Sequence, residues 1–292
     1  MNNYLKYLNL RQLNRIRRKH RKQQKMYQKS LQHKSYLNQY LCTDYIKFDG
    51  KIEQNLPIWQ LWLQGKDNAP ELIKNCFQSV EKHCPKRDIQ VLTADNIYDY
   101  IQLPDYVIDK YNRSLISHTH FSDIVRVCLL CKYGGTWIDG TVLLTDQIEK
   151  KIEDAEFFCF SSPQDSINYR LHLISSWFIH SQKQHPFLLN VKESLFEYWK
   201  NENKLIDYFT FHLTFRNMID ASNELQRNWN DLYHLTNDTP HLFNKRLKER
   251  FIKEDFDSIL TKSNIHKLTH KIGEAEQDSY FSYFSQQKLL LP

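Results

Sequence analysis

The chain has 292 residues, of which 41% are hydrophobic, 25% charged and 14% aromatic; this allows one large core with at most a small appendage and excludes a disordered or fibrous protein. Six glycines and eight prolines leave little for low-complexity linkers, and no apolar run approaches the roughly 18 residues of a membrane span. The net charge of +6 divides unevenly: residues 1–43 hold eleven Lys/Arg and no acid, so the other 29 basic and 34 acidic residues leave the body near −5.

Residues 1–40 contain no Gly or Pro and are rich in Arg, Lys, Gln and Leu, which predicts a long helix. Arg11, Arg15, Arg18, Lys22, Lys25 and Lys29 follow a 4-3-4-3-4 spacing and share one face. Leu13, Ile16, Tyr27 and Leu31 form a thin apolar seam roughly opposite. Such a helix suits either weak docking on the body or adhesion to an anionic membrane surface. Nucleic acid is not expected as a partner, because the body adds no basic groove to continue the track. The N-terminus lacks the uninterrupted apolar stretch of a signal peptide, so the expected location is cytoplasmic, peripheral on the inner face of the cell membrane.

The body opens near Leu56 with a β-type run, Pro57-Ile58-Trp59-Gln60-Leu61-Trp62-Leu63, ended by Gln64-Gly65. A helical pattern from Pro70 to His83 follows, then a strand at Ile89–Leu92. Strand, helix and strand over about 35 residues form a βαβ unit, which favours a parallel sheet. Residues 104–116 read as helix, and a stronger helix runs from Ser117 to Tyr133, closed by Gly134-Gly135. Thr136-Trp137-Ile138, Asp139-Gly140-Thr141 and Val142-Leu143-Leu144 read as a strand that breaks at an acid and resumes. Further strands are predicted at 156–161 and 175–180, and mostly helix from Pro186 to about Arg250.

Six cysteines in so long a chain do not read as a disulfide framework. Cys128 and Cys131 lie within the apolar helix, and no second pair follows at zinc spacing, so core packing is the expectation. His118 and His120 lack an obvious third ligand and read as helix N-terminal packing.

Asp123 and Arg126, three apart on a helix, project from one face. Asp139 stands at the end of a buried strand, where open α/β sheets place ligand groups. A carboxylate there suits a sugar hydroxyl or a divalent cation, whereas a turn-forming Asp-Gly is the plainer alternative. Asp207 and His212 flank an aromatic run, with Asp207 suited to acceptor binding or to capping the next helix. No G-x-S-x-G, Walker A loop or G-x-G-x-x-G is present, which removes support for hydrolase, ATPase and dinucleotide readings.

The block from Ser122-Asp123 and Arg126 through Lys132-Tyr133-Gly134-Gly135 to Trp137-Ile138-Asp139 resembles the capsular polysaccharide synthesis proteins, relatives of glycosyltransferases with a DXD sugar-binding motif. Weaker likeness continues at Ser176-Trp177-Phe178, His185-Pro186-Phe187, Asp207-Tyr208-Phe209 and His266–Lys271, so that most of residues 56–272 is covered. The resemblance implies an α/β fold of the GT-A type. That is a Rossmann-like mixed sheet with flanking helices, a helical C-terminal acceptor half and, outside the resemblance, the basic N-terminal helix. It divides the chain into an extension over 1–45 and a transferase domain over 46–292. The implied activity is transfer of a hexose from a nucleoside diphosphate sugar to a capsular or similar polysaccharide acceptor, lipid-linked. The competing reading is a catalytically degenerate sugar-nucleotide or lipid/RNA-binding module with a basic tail.

The resemblance also assigns residues. Trp62 stacks on the donor base, although a core tryptophan is the simpler reading of the same residue. Asp123 and Arg126 hold the ribose and sugar, and Asp139 is the first acid of the motif. Thr141 stands where the second acid belongs. Mn²⁺ or Mg²⁺ would then rest on Asp139 with His266 or His270 completing the shell; alternatively Arg126 and Lys271 neutralise the leaving diphosphate without a metal.

Overall fold

The computed structural model describes residues 10–164 and 166–286; residues 1–9 of the expected N-terminal helix lie outside the described residues. Helix α1 (Leu10–Leu37) is followed by β1 (Ile58–Leu61), α2 (Glu71–His83) and β2 (Ile89–Leu92). The short α3 (Ile97–Tyr100) and α4 (Asp105–Asn112) lead into α5 (His118–Tyr133), β3 (Gly135–Ile138) and β4 (Val142–Leu144). After α6 (Lys150–Glu153) come β5 (Phe157–Ser161), β6 (Ile174–Ser181), α7 (Pro186–Asn201), α8 (Thr210–Asp220) and α9 (Asn223–Asn230). The chain closes with α10 (Leu242–Arg246), α11 (Lys253–Leu260), β7 (Ile265–Lys267) and α12 (Tyr280–Ser285).

The main sheet has the order β2-β1-β3-β6-β5. β1 pairs parallel with β2 and β3, whereas β3, β6 and β5 pair antiparallel, so the sheet is mixed. Alternation along the strands sorts the side chains between two faces. Trp59 and Trp137 join the core with α5, α7 and α8, while Ile58 and Ile138 turn towards Val80 of α2, Phe158 and Phe178. Both faces are therefore covered, as parallel strands require.

Helix α5 sets the spacing of this sheet. Ser117 caps it by accepting a hydrogen bond from the His120 amide, and Gly134 ends it at φ 67°. Gly135 follows at φ 110°, and a methyl group there would sit 2.2 Å from the Pro57 carbonyl oxygen. Only glycine lets β3 turn out of the helix so close to β1. Cys128 and Cys131 are buried on this helix at 7% and 2% exposure, and all six cysteines are free.

Two features depart from the linear reading. The strand that resumes after Asp139 does not rejoin the main sheet: β4 pairs antiparallel with β7 in a separate two-stranded sheet. The cause is a tight turn, in which the Val142 amide bonds the Asp139 carbonyl at 2.9 Å while the Asp139 amide still holds Trp177 of β6. The helical stretch from 186 to 250 is likewise interrupted at 202–209 and 231–241.

The C-terminal part of α1 packs against α8. Asn217 caps the Lys34 carbonyl at 2.7 Å, Lys34 pairs with Asp220, and Tyr36 and Tyr40 both donate to Glu202. Leu37 is only 3% exposed, and Tyr40 and Leu41 pack against the large core. From Asn14 to Met26, by contrast, every residue is exposed.

Candidate active site

Because β1 and β3 run parallel, Trp62 and Asp139 leave the main sheet at the same edge, the C-terminal edge at which open α/β sheets bind ligands. The turn after β3 brings them side by side, since a methyl group on Gly140 would stand 3.4 Å from the Trp62 ring. Trp62 is half-buried, its indole nitrogen has no partner, and its ring meets His270 edge-on at 5.6 Å.

The Asp139 carboxylate is surrounded by donors. Its Oδ1 accepts from Trp137 Nε1 at 2.8 Å and from Arg126 Nη2 at 3.1 Å. Its Oδ2 accepts from Lys267 Nζ at 2.9 Å, and the same ammonium donates to the Thr141 hydroxyl. Arg126 is almost fully buried. Its Nη1 donates to Asp123, and its guanidinium lies 4.7 Å over the Trp137 ring. One guanidinium thus bridges two carboxylates on a flat aromatic floor, the geometry that a planar, delocalised cation suits and an ammonium does not.

Burial alone would raise both acidic pKa values, and the cations override it. For Asp139 the charges of Lys267 and then Arg126, with hydrogen bonds from Trp137 and Lys267, hold the carboxyl at about 2. For Asp123 burial is outweighed by Arg126, then by His120 and His212, and the carboxyl stays below its ordinary value. Both are carboxylates at neutral pH. On α8, burial pushes the His212 pKa down to about 4, so the imidazole stands neutral with an unpartnered Nδ1.

Residues 9–286 fit the profile of the family described as capsular polysaccharide synthesis protein. The chain belongs to that family. It is also similar to the O-glycosyltransferase braB of Annulohypoxylon truncatum, at 26% identity over 161 residues, 49% of this chain and 37% of that protein. The chain thus matches little more than a third of that relative's length. Among solved structures, PaToxG Glycosyltransferase superposes with a TM-score of 0.41 at 11% identity, covering 70% of this chain and 83% of that one. A transferase carrying two cysteine-to-serine substitutions gives 0.38 at 11% identity, covering 65% and 98%.

Within this family member, the structure brings Trp62, Asp123, Arg126 and Asp139 to one edge, with His270 beside Trp62, and the charge of Asp123 is felt at the buried His212. Three other residues lie elsewhere. His266 is fully buried, facing Phe243 with its Nε2 on the Thr145 hydroxyl. Asp207 is held by His33 and Ser30 of α1, and its Oδ1 accepts from the Phe209 amide at the start of α8. Lys271 is exposed, four residues beyond the lysine that reaches Asp139.

Lys267 and Trp137, to which sequence reasoning gave no role, both donate to Asp139. Tyr208 is 64% exposed, and partial burial followed by the charges of Asp123 and Asp139 raises its pKa. Lys267 became recognisable only once β7 was seen paired with β4. In the β7 register Val142 faces Lys267 and Leu143 faces His266, so a core-facing His266 forces its neighbour to the opposite side, towards Asp139.

A divalent cation at this turn would meet one carboxylate whose two oxygens are already engaged, a neutral hydroxyl and an ammonium in contact with both. Hard cations take about six or more oxygen ligands, from carboxylates, substrate phosphates and waters. Among the described residues no group of three His, Cys, Asp or Glu is arranged to hold a metal. The turn's own side chains thus present a divalent ion with a single carboxylate, both of whose oxygens already accept hydrogen bonds.

Proposed function

We propose that this chain is a glycosyltransferase that moves a hexose from a nucleoside diphosphate sugar to a surface polysaccharide acceptor. The observation that carries this reading is the Asp139 carboxylate at the sheet edge, paired with Arg126 and set beside the Trp62 ring. Family membership and the matched O-glycosyltransferase support it. In this reading Trp62 stacks on the base, Asp123 and Arg126 hold the ribose and sugar, and Asp139 accepts from a sugar hydroxyl. The acceptor hydroxyl attacks the anomeric carbon and releases its proton to solvent, the bond to the diphosphate breaks, and the charge developing on the departing diphosphate meets fixed cations that need no reorganisation. With Asp207 engaged by α1, the acceptor side falls to His212 and Tyr208. Lys271, exposed at the rim, is assigned the outer end of the donor.

The acceptor is lipid-linked, and the exposed part of α1 holds the enzyme beside it on the inner face of the membrane. Arg15, Arg17, Arg18, Lys19, Arg21, Lys22 and Lys25 all lie in the free stretch, together with the exposed apolar Ile16 and Met26.

Thermal unfolding against a panel of nucleotide sugars is the first experiment, since a ligand at a hundredfold its Kd stabilises by about 2.7 kcal/mol. A stabilising sugar nucleotide should also be hydrolysed or transferred, and Asp139→Asn should abolish that turnover. Stabilisation with no turnover by wild type would favour a binding module; retention of more than half the activity in Asp139→Asn would remove Asp139 from the chemistry.

A further inference from the structure

Within the Asp139-Gly140-Thr141 turn, the side chains of the first and third residues converge on a single atom, the Lys267 Nζ. Two oxygens on either side of a glycine closing on one cation is the arrangement of a small ion site, but here the ion is covalently part of the protein. Its position is built, not adventitious. β7 is locked to β4 by the pairing of Val142 with Lys267, and the Leu268 amide donates to the Thr141 carbonyl at 2.9 Å.

The two cations at the site differ in what they have left to give. Arg126 spends one terminal nitrogen on Asp123 and the other on Asp139 and Ser122, and the buried Nε finds no partner. An ammonium has three N–H donors. Asp139 and Thr141 take two of those on Lys267, and its side chain is still 19% exposed. One donor and an open side remain, next to the turn and on the same edge as Trp62.

Resting on the donor-site reading above, we propose that Lys267 grips the diphosphate of the sugar nucleotide in the place of a divalent cation, so that donor binding needs no metal. Asp139 and Thr141 aim the ammonium, and the third N–H meets a phosphate oxygen. Thr141 is then not a degenerate acid: a second carboxylate would draw the ammonium away from the phosphate, whereas a hydroxyl orients it without neutralising it.

Calorimetric titration of the full chain with uridine, guanosine, adenosine and cytidine diphosphates, in excess EDTA and then in excess Mn²⁺, tests this. At least one diphosphate should bind with a Kd that is unchanged within about twofold between the two conditions, whereas loss of a metal bridge would cost about tenfold or more. Lys267→Gln should weaken that diphosphate by about tenfold or more, and Lys267→Arg should retain most of the affinity. Thermal unfolding of each variant checks that it is folded, and the wild-type comparison needs no variant. In Lys267→Gln combined with Thr141→Asp, binding should become dependent on Mn²⁺, because the turn then offers two carboxylates and no ammonium.

Wild-type binding that disappears in EDTA and returns with Mn²⁺ overturns the proposal while leaving the donor site standing. Undiminished affinity in a folded Lys267→Gln does the same. Failure of every diphosphate to bind under either condition overturns the donor-site reading itself.

Discussion

Arg126 is the residue on which the site turns, because its buried guanidinium is compensated by two acids from different elements, Asp123 on α5 and Asp139 beyond β3. Removing one partner of such a buried set leaves a charge unpaired, which typically costs about 3–5 kcal/mol. Arg126→Ala is expected to lower stability by an amount of that order in chemical denaturation, and Arg126→Lys to fold better but bind donor poorly, since one ammonium cannot span both carboxylates. Asp139 makes a pH prediction with a definite sign. Its folded pKa of about 2 lies below the ordinary 3.8, so its contribution is complete above about pH 4 and is lost as pH falls through 2. The difference corresponds to about 2 kcal/mol. Urea unfolding from pH 5 to pH 2 should show wild type losing more stability than Asp139→Asn by roughly that much; parallel curves would mean that Asp139 carries no such linkage.

At the scale of elements, α1 is two things in one helix. Its last two turns are packing: Leu37 is buried, and Asn217, Asp220, Glu202 and Asp207 hold the backbone and side chains around it. A truncation at residue 26 is expected to keep the melting temperature, whereas one at residue 43 removes Leu37 and Tyr40 from the core. Truncating a buried leucine alone costs about 2–5 kcal/mol, so the longer deletion should unfold at markedly lower temperature. Equal melting of the two truncations would show that the docked turns contribute nothing. Much of the element order was legible. The strand at 89–92, the helix beginning after Pro70 and the Gly-Gly stop after α5 follow from local periodicity and backbone freedom, and the structure has them there. What was not legible is long-range. β7 is three residues long and carries no period, and nothing local tells that β4 abandons the main sheet to pair with it. The same gap explains why Lys267 was passed over for Lys271, and why Asp207 was read only through its own neighbourhood when His33, 174 residues away, holds its carboxylate.

For the whole molecule, the consequence of the charge split is a strongly basic overhang on a mildly acidic body. Among the described residues no helix is long and apolar enough to cross a membrane; in the reading proposed above, association through α1 is electrostatic with a shallow apolar contribution. Full-length protein should sediment with anionic vesicles and not with neutral ones, and the truncation at residue 26 with neither. Attraction of this kind is worth about 1 kcal/mol per basic residue near the surface. It should fade as salt shortens the screening length from about 10 Å at 0.1 M to about 3 Å at 1 M. Sedimentation indifferent to lipid charge would leave α1 as a packing element only.

The path by which the site is assembled has a consequence for the order of events on the ribosome. Asp123, Arg126 and Asp139 are made within 17 consecutive residues, but Lys267 follows Asp139 by 128 positions. At typical rates of synthesis that interval is about 6–26 s. During it α5 and β3 can already dock while two carboxylates share one guanidinium, an excess of one negative charge at a half-closed edge. β7, the last strand among the described residues, supplies the balancing ammonium, so a nascent chain halted before it would carry all five strands of the main sheet yet lack the charge balance of the finished site.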